Sequence, residues 1–113
     1  MILSKENTKE YIWGNHCKGW PLVDTTALSV KEELMPPGTE EVLHKHNKAQ
    51  QFFYILKGCA TFLIEDRVHT VKANEGIHLH PHTIHKIKNE TEEDLEFLVI
   101  SQPSAHGDRE EIK

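Results

Sequence analysis

The stretch Gly38-Thr39-Glu40-Glu41-Val42-Leu43-His44-Lys45-His46-Asn47-Lys48-Ala49-Gln50-Gln51-Phe52-Phe53-Tyr54-Ile55-Leu56-Lys57-Gly58 carries more information than any other part of this chain. Successive side chains of an extended strand alternate between faces, so His44 and His46 project the same way, roughly 7 Å apart at their Cα atoms. That spacing lets two imidazoles grip one ion. Downstream, Pro81, His85 and Asn89 continue the frame. Three histidines and the Gln51 side-chain oxygen, gathered from two pairs of strands, form a donor set suited to a divalent transition metal.

Working outward, the flanking sequence reads as strands and turns. Leu28, Val30 and Leu34 share one parity while Ser29, Lys31 and Glu33 take the other, and Met35-Pro36-Pro37-Gly38 closes that strand. Strands are expected at Val42–His46, Gln51–Lys57, Cys59–Glu65, Val68–Lys72, Ile77–His80, Ile84–Lys88 and Leu95–Ser101, with a tight turn at Asp66-Arg67 and another at Asn74-Glu75-Gly76. Helical periodicity is weak after residue 28. Short strands separated by Gly and Pro turns, with no helices between them, indicate an all-β sandwich or barrel of about eight to ten strands. Residues 1–27 form an N-terminal arm packing on the barrel, 28–101 the barrel, and 102–113 a polar tail that either folds over the barrel or frays. Within the arm, residues 4–12 suit a short helix or a loose extension.

Bulk properties narrow the function. At 113 residues the chain suits one domain. The formal charge of −5 and the absence of a clustered Lys/Arg stripe exclude a non-specific nucleic-acid binder. No apolar run reaches the length of a membrane span, and Met1–Trp13 lacks the apolar core of a secretory signal. Cys17 and Cys59 make neither a C-x-x-C pair nor a disulfide framework. Together these favour a soluble protein of a reducing cytoplasm. Nine histidines are many for this length and hint at metal binding, proton transfer or charge switching.

The spacing of Gly38, His44, His46, Gln51 and Gly58, followed by Pro81, His85 and Asn89, resembles the two motifs of small single-domain cupins (cupin type-2, the conserved jelly-roll barrel family). The similarity covers about residues 28–101. It implies a double-stranded β-helix (jelly-roll) barrel, one divalent metal (Fe, Mn, Ni, Zn or Cu) on His44, His46, His85 and Gln51, and a homodimer. The chain departs from both motifs, and the replacements at Gln51 and His82 bear on function. Asn74-Glu75 replaces the usual Gly-Asp, with His80-Pro81-His82 where Pro-Pro-Gly is usual. Gln51 stands where the family commonly has a glutamate, which leaves the donor set without negative charge and biases a bound ion towards anionic ligands such as a carboxylate or enolate. Some cupins acting on unsaturated or keto sugar acids are similar in using three histidines and a glutamine, together with a last-strand acid and a tail arginine. Here the last strand offers only Glu96, expected to face outward, and the tail offers Asp108 and Arg109.

Each candidate has a plainer alternative. Gln51 either ligates or orients a histidine or water. His78 and His80 point at the cavity, where His78 would move protons, or form a surface pair. Phe53 and Phe62 belong to apolar stripes that line the interior and are expected to wall the pocket. Trp13 and Trp20 cap the barrel mouth over a ligand or close the sandwich edge, and Trp20 is the one placed in the pocket. Cys17, between His16 and Lys18, is either activated or an inert buried thiol. Three functions fit: a metal-dependent enzyme acting on a small anionic molecule, by isomerisation or elimination through a metal-bound enolate or by dioxygen chemistry; a non-catalytic module that binds or senses a small molecule; or a barrel stapled by a structural metal. No Asp or Glu is assigned to the cavity as general base.

Overall fold

The computed structural model describes residues 1–113 and contains eleven strands and no helix. β1 (Tyr11–Trp13), β2 (Cys17–Asp24), β3 (Ser29–Met35), β5 (Gln50–Lys57), β8 (Gly76–Leu79) and β10 (Leu95–Gln102) form one sheet, in the order β1-β2-β3-β10-β5-β8. β4 (His44–Lys45), β6 (Cys59–Ile64), β7 (Arg67–Lys72), β9 (His85–Lys88) and β11 (Glu110–Glu111) form the other, in the order β11-β4-β9-β6-β7. Neighbours are antiparallel throughout. The two sheets face each other as a jelly roll, and alternation along each strand supplies the interior.

That interior is apolar at one end and polar at the other. Phe53, Ile55, Phe62, Ile87, Leu95, Phe97 and Met35 are buried together in the core. Along the β5–β10 ladder the inward pairs run Phe97↔Ile55, Val99↔Phe53 and Ser101↔Gln51, so the apolar rows give way to a polar pair at the end nearest the histidines. β3 continues the change. Its inward row is Ser29, Lys31, Glu33 and Met35, opposite Ser101, Val99, Phe97 and Leu95. The polar parity of β3 therefore turns inward while Val30 and Leu34 lie half-buried on the outer face, because this end of the barrel houses a cavity rather than core.

Several boundaries differ from those expected. The β6–β7 turn is Glu65-Asp66, not Asp66-Arg67, since Ile64 pairs with Arg67; both turn residues have positive φ (46° and 67°), as a two-residue hairpin loop requires. The strand expected over Val42–His46 is regular only at His44–Lys45, because the preceding residues bond to β9 irregularly, through the Glu40–Lys88 bridge and the bond from Glu41 N–H to the Ile87 carbonyl. Gly58, at the β5–β6 turn, has φ of 89°, and a Cβ there would stand 2.7 Å from the Asp94 carbonyl oxygen, so only glycine fits.

The arm is not helical. It crosses the outer face of the larger sheet, where Lys5 pairs with Glu32 (3.4 Å) and Glu96 (3.3 Å) and lies over the Trp20 ring. It then enters the barrel wall as β1. The tail folds back rather than fraying: Ser104 N–H bonds to the Thr26 carbonyl, β11 pairs with β4, and Ile112 N–H donates to the Leu43 carbonyl at 2.8 Å.

Candidate metal centre

β4 and β9 lie side by side with His44 opposite His85, and the turn after β4 brings in His46. All three side chains are buried, and their ring nitrogens converge within 4.8 Å of one another, close enough for one ion. Each ring is oriented by a backbone carbonyl that accepts from its Nδ1–H. His44 uses Val42 (2.7 Å), His85 uses Thr83 (2.8 Å) and His46 uses Asp108 (2.5 Å). With Nδ1 engaged, Nε2 is left as the lone-pair nitrogen, the arrangement common to ligating histidines. Burial, ahead of any other cause, pushes the His44 pKa down to about 3 and the His85 pKa to about 4, and lowers that of His46. The imidazoles are therefore neutral near pH 7, the form that binds a cation.

The fit extends to two buried atoms that have no hydrogen-bond partner, His85 Nε2 and Gln51 Oε1. Gln51 donates its amide to Ser101 Oγ at 2.9 Å, which leaves its oxygen free on the cavity side. A buried polar atom without a partner costs on the order of 1–3 kcal/mol, and a cation in this pocket would satisfy both atoms.

His44 and His46 open onto a cavity of about 250 Å³. Phe53 and Val99 form part of its wall, with Trp13 and Tyr11 from β1. Lys31 and Glu33 come from β3, Glu41 from the segment before β4, and Arg109 from the tail. Of the four side chains expected to form the pocket, only Phe53 lines it. Phe62 is fully buried in the core behind it. His78 is exposed on the edge strand β8, bonded to Gln50 Oε1 at 2.8 Å and packed edge-on against His80, so it is not placed to act in the cavity. Trp20 lies on the outer face, opposite Glu32 and beneath Lys5, and Trp13 takes the place at the cavity.

Two acids, unassigned from the sequence, are present in the cavity. Tyr11 donates its hydroxyl to Glu33 Oε2 at 2.5 Å, and burial raises the pKa of both groups. Glu41 Oε1 lies 4.0 Å from His44 Nε2, and its other oxygen lies 4.0 Å from the Arg109 guanidinium. Burial pushes its pKa up to about 8 despite the arginine. The inward parity of β3 would have pointed to Glu33 and Lys31, and Glu41 sits three residues before His44. Neither signal carries weight until the strand's facing is known.

The tail is part of the centre. Asp108 receives the backbone N–H groups of Asn47 (3.0 Å), Lys48 (2.9 Å) and Ala49 (2.9 Å) on its carboxylate, pinning the turn that follows His46. Burial works against that carboxylate, but the three N–H donors outweigh it and hold its pKa below the usual range. Cys17 is fully buried with a raised pKa, first through burial, which fits the inert reading of this thiol.

Comparison with known proteins agrees with the jelly-roll geometry. Residues 31–101 match the family described as the cupin domain. An uncharacterised protein of Methanocaldococcus jannaschii is 34% identical over 83 residues, covering 73% of this chain and 66% of that protein. An oxalate-binding protein of Thermotoga maritima is 33% identical over 66 residues, covering 58% of this chain and 54% of that protein. The chain thus spans somewhat less than two thirds of the first relative and about half of the second. Among solved structures, a predicted oxalate decarboxylase of Thermotoga maritima superposes with a TM-score of 0.84 at 23% identity, over 92% of this chain and 100% of that one. A family match over most of the barrel, two facing antiparallel sheets and a three-histidine cluster at the polar end lead to one conclusion: this chain belongs to the cupin family.

Proposed function

We propose that this cupin is a metal-dependent enzyme acting on a small carboxylate-bearing molecule by proton transfer, as in isomerisation or elimination. The observation that carries the reading is the cavity of about 250 Å³, where His44 and His46 of the three-histidine cluster share the wall with Gln51, two cationic and two acidic side chains. The fold alone would not select a function.

A divalent ion on His44, His46 and His85, with Gln51 as a fourth donor, would supply Lewis-acid polarisation of a substrate oxygen. The remaining work falls to the chain's own side chains. Lys31 and Arg109 place positive charge on the cavity wall, suited to a carboxylate, and Arg109 offers a forked donor for both oxygens. Trp13, Phe53 and Val99 exclude water from one wall. The Tyr11 hydroxyl donates to Glu33, and burial raises the Glu33 pKa, the direction that suits a proton-transfer group. The name of the Thermotoga maritima relative, an oxalate-binding protein, supports a small carboxylate as ligand.

Elemental analysis of untagged protein beside a His44→Ala/His46→Ala variant tests the metal. About one equivalent in the wild type, lost in the variant, is expected. Titration with small 2-oxo and hydroxy carboxylates, followed by melting temperature and by proton exchange of the α-hydrogen, tests the rest. Binding without exchange would leave a non-catalytic binding cupin, and no uptake of metal by either protein would remove the enzymatic reading.

A further inference from the structure

The donor set described above is neutral throughout: three imidazoles and one amide. A dication held by it carries its full charge into a largely buried pocket, where unpaired charge is costly. We propose that Glu41 supplies the compensating negative charge of the metal centre, bonding the ion directly or through a water bound to it.

Geometry carries the assignment. With metal–nitrogen distances of about 2.0–2.1 Å, two donors on one ion lie at most about 4.2 Å apart. Glu41 Oε1 stands 4.0 Å from His44 Nε2, inside that span, and lies outside the 4.8 Å group formed by the three histidines, which puts it at the His44 side of the centre, in reach of a bound water. The carboxylate is nearly buried, its side chain 13% exposed. Within the protein it is incompletely satisfied. Oε1 accepts from Ile87 N–H at 3.2 Å, and the Arg109 guanidinium is 4.0 Å from Oε2, too far for a hydrogen bond. Its anchoring is that of a positioned group: Glu41 N–H bonds the Ile87 carbonyl while Ile87 N–H bonds the Glu41 side chain, fixing the residue to β9 two positions beyond His85. The other cavity acid, Glu33, is already engaged by Tyr11.

This inference rests on the metal reading above, and one experiment separates their failures. Metal-stripped, untagged, full-length protein is titrated with cobalt(II), its affinity measured by chelator competition and its coordination by visible absorption. Wild type is compared with Glu41→Gln, Glu33→Gln and Glu41→Gln/Gln51→Glu. Glu41→Gln is expected to weaken cobalt binding at least tenfold and to alter the absorption. Its metal-free form should melt at or above the wild type, since a buried carboxylate has been removed. Gln51→Glu added to it should recover at least half of the loss on a logarithmic scale, while Glu33→Gln changes affinity less than threefold. Glu41→Gln binding within twofold of wild type, or Glu33→Gln weakening binding as much, overturns the assignment. Should Glu41→Gln not fold, Gln51→Glu alone decides: a gain under threefold agrees with charge already supplied by Glu41, and a gain of tenfold or more overturns it. Wild-type protein that takes up no cobalt removes the metal reading as well, which is a separate result.

Discussion

At the scale of single residues, the three histidines are buried and held in the neutral form by their surroundings. Burial keeps them neutral in the folded chain, whereas in the unfolded chain they protonate near pH 6.5. Between those values the unfolded state binds more protons, so the metal-free protein loses stability as pH falls below about 6.5, down towards the folded values near 3 and 4. Thermal melts of stripped protein from pH 7 to pH 4 should show this decline, and His44→Ala/His46→Ala should flatten it; an equally steep variant would point to other groups. Glu41 has the opposite sign. Its folded pKa is raised to about 8, so its contribution is full below the unfolded value near 4.5 and is lost as pH rises through 8. At Arg109, replacement by alanine removes one charge-assisted donor worth about 1.5 kcal/mol, and isothermal titration should find carboxylate binding weakened roughly tenfold with metal content unchanged. The clustering of His44, His46 and His85 was legible in the sequence because their spacing repeats a known frame. Glu33, Glu41 and Lys31 were not, because a charged residue on a strand is by default solvent-facing. Only the facing of β3 and the crossing of the tail reveal that they surround a cavity.

At the scale of elements, the tail strand and the β6–β7 hairpin behave differently from their neighbours. β11 is two residues long, yet the segment around it supplies the carbonyl that orients His46 and the carboxylate that caps three N–H groups after it. Deleting residues 105–113 should leave the core folded, since no tail residue belongs to it, while lowering metal affinity at least tenfold in chelator competition; unchanged affinity would show that His46 needs no such support. In the hairpin, Glu65 and Asp66 adopt positive φ without being glycine. Asp66→Gly should stabilise the protein by about 0.5–1 kcal/mol, read as a rise of a few degrees in melting temperature, with Glu65 kept because its carboxylate accepts from Ile84 N–H at 3.0 Å. Hairpins and central strands were visible as alternating runs between turn residues. β1, β2 and β11 were missed: β1 and β11 have three and two residues, too few to show alternation, and Gly19 and Pro21 interrupt the pattern of the eight-residue β2, so that pairing with their neighbours makes them strands.

At the scale of the whole molecule, the larger sheet keeps an apolar outer stripe. Phe52 and Leu56 are 38% and 41% exposed, and Tyr54, Leu98, Ile100 and Val30 lie half-buried on the same face. Part of that sheet is covered by the arm, through Lys5 and Trp20. The homodimer implied by the family resemblance would use the remainder. Phe52→Glu/Leu56→Glu should then shift sedimentation from dimer to monomer while leaving metal content intact, and a wild type that sediments as a monomer would dispose of the idea. The barrel itself was readable from strand count and turn chemistry. Its division into an apolar and a polar end was not, because that depends on register between strands distant in sequence.

The candidate donors are divided between the two layers of the barrel. His44 and His85 belong to the smaller sheet, with His46 on the turn just beyond β4, while Gln51 belongs to the larger one. An ion engaging all four acts as a rivet, because the sheets cannot part without giving it up. Its release would then lie on the route to unfolding, and the lifetime of the folded chain would lengthen with metal occupancy even where the equilibrium melting point changes little.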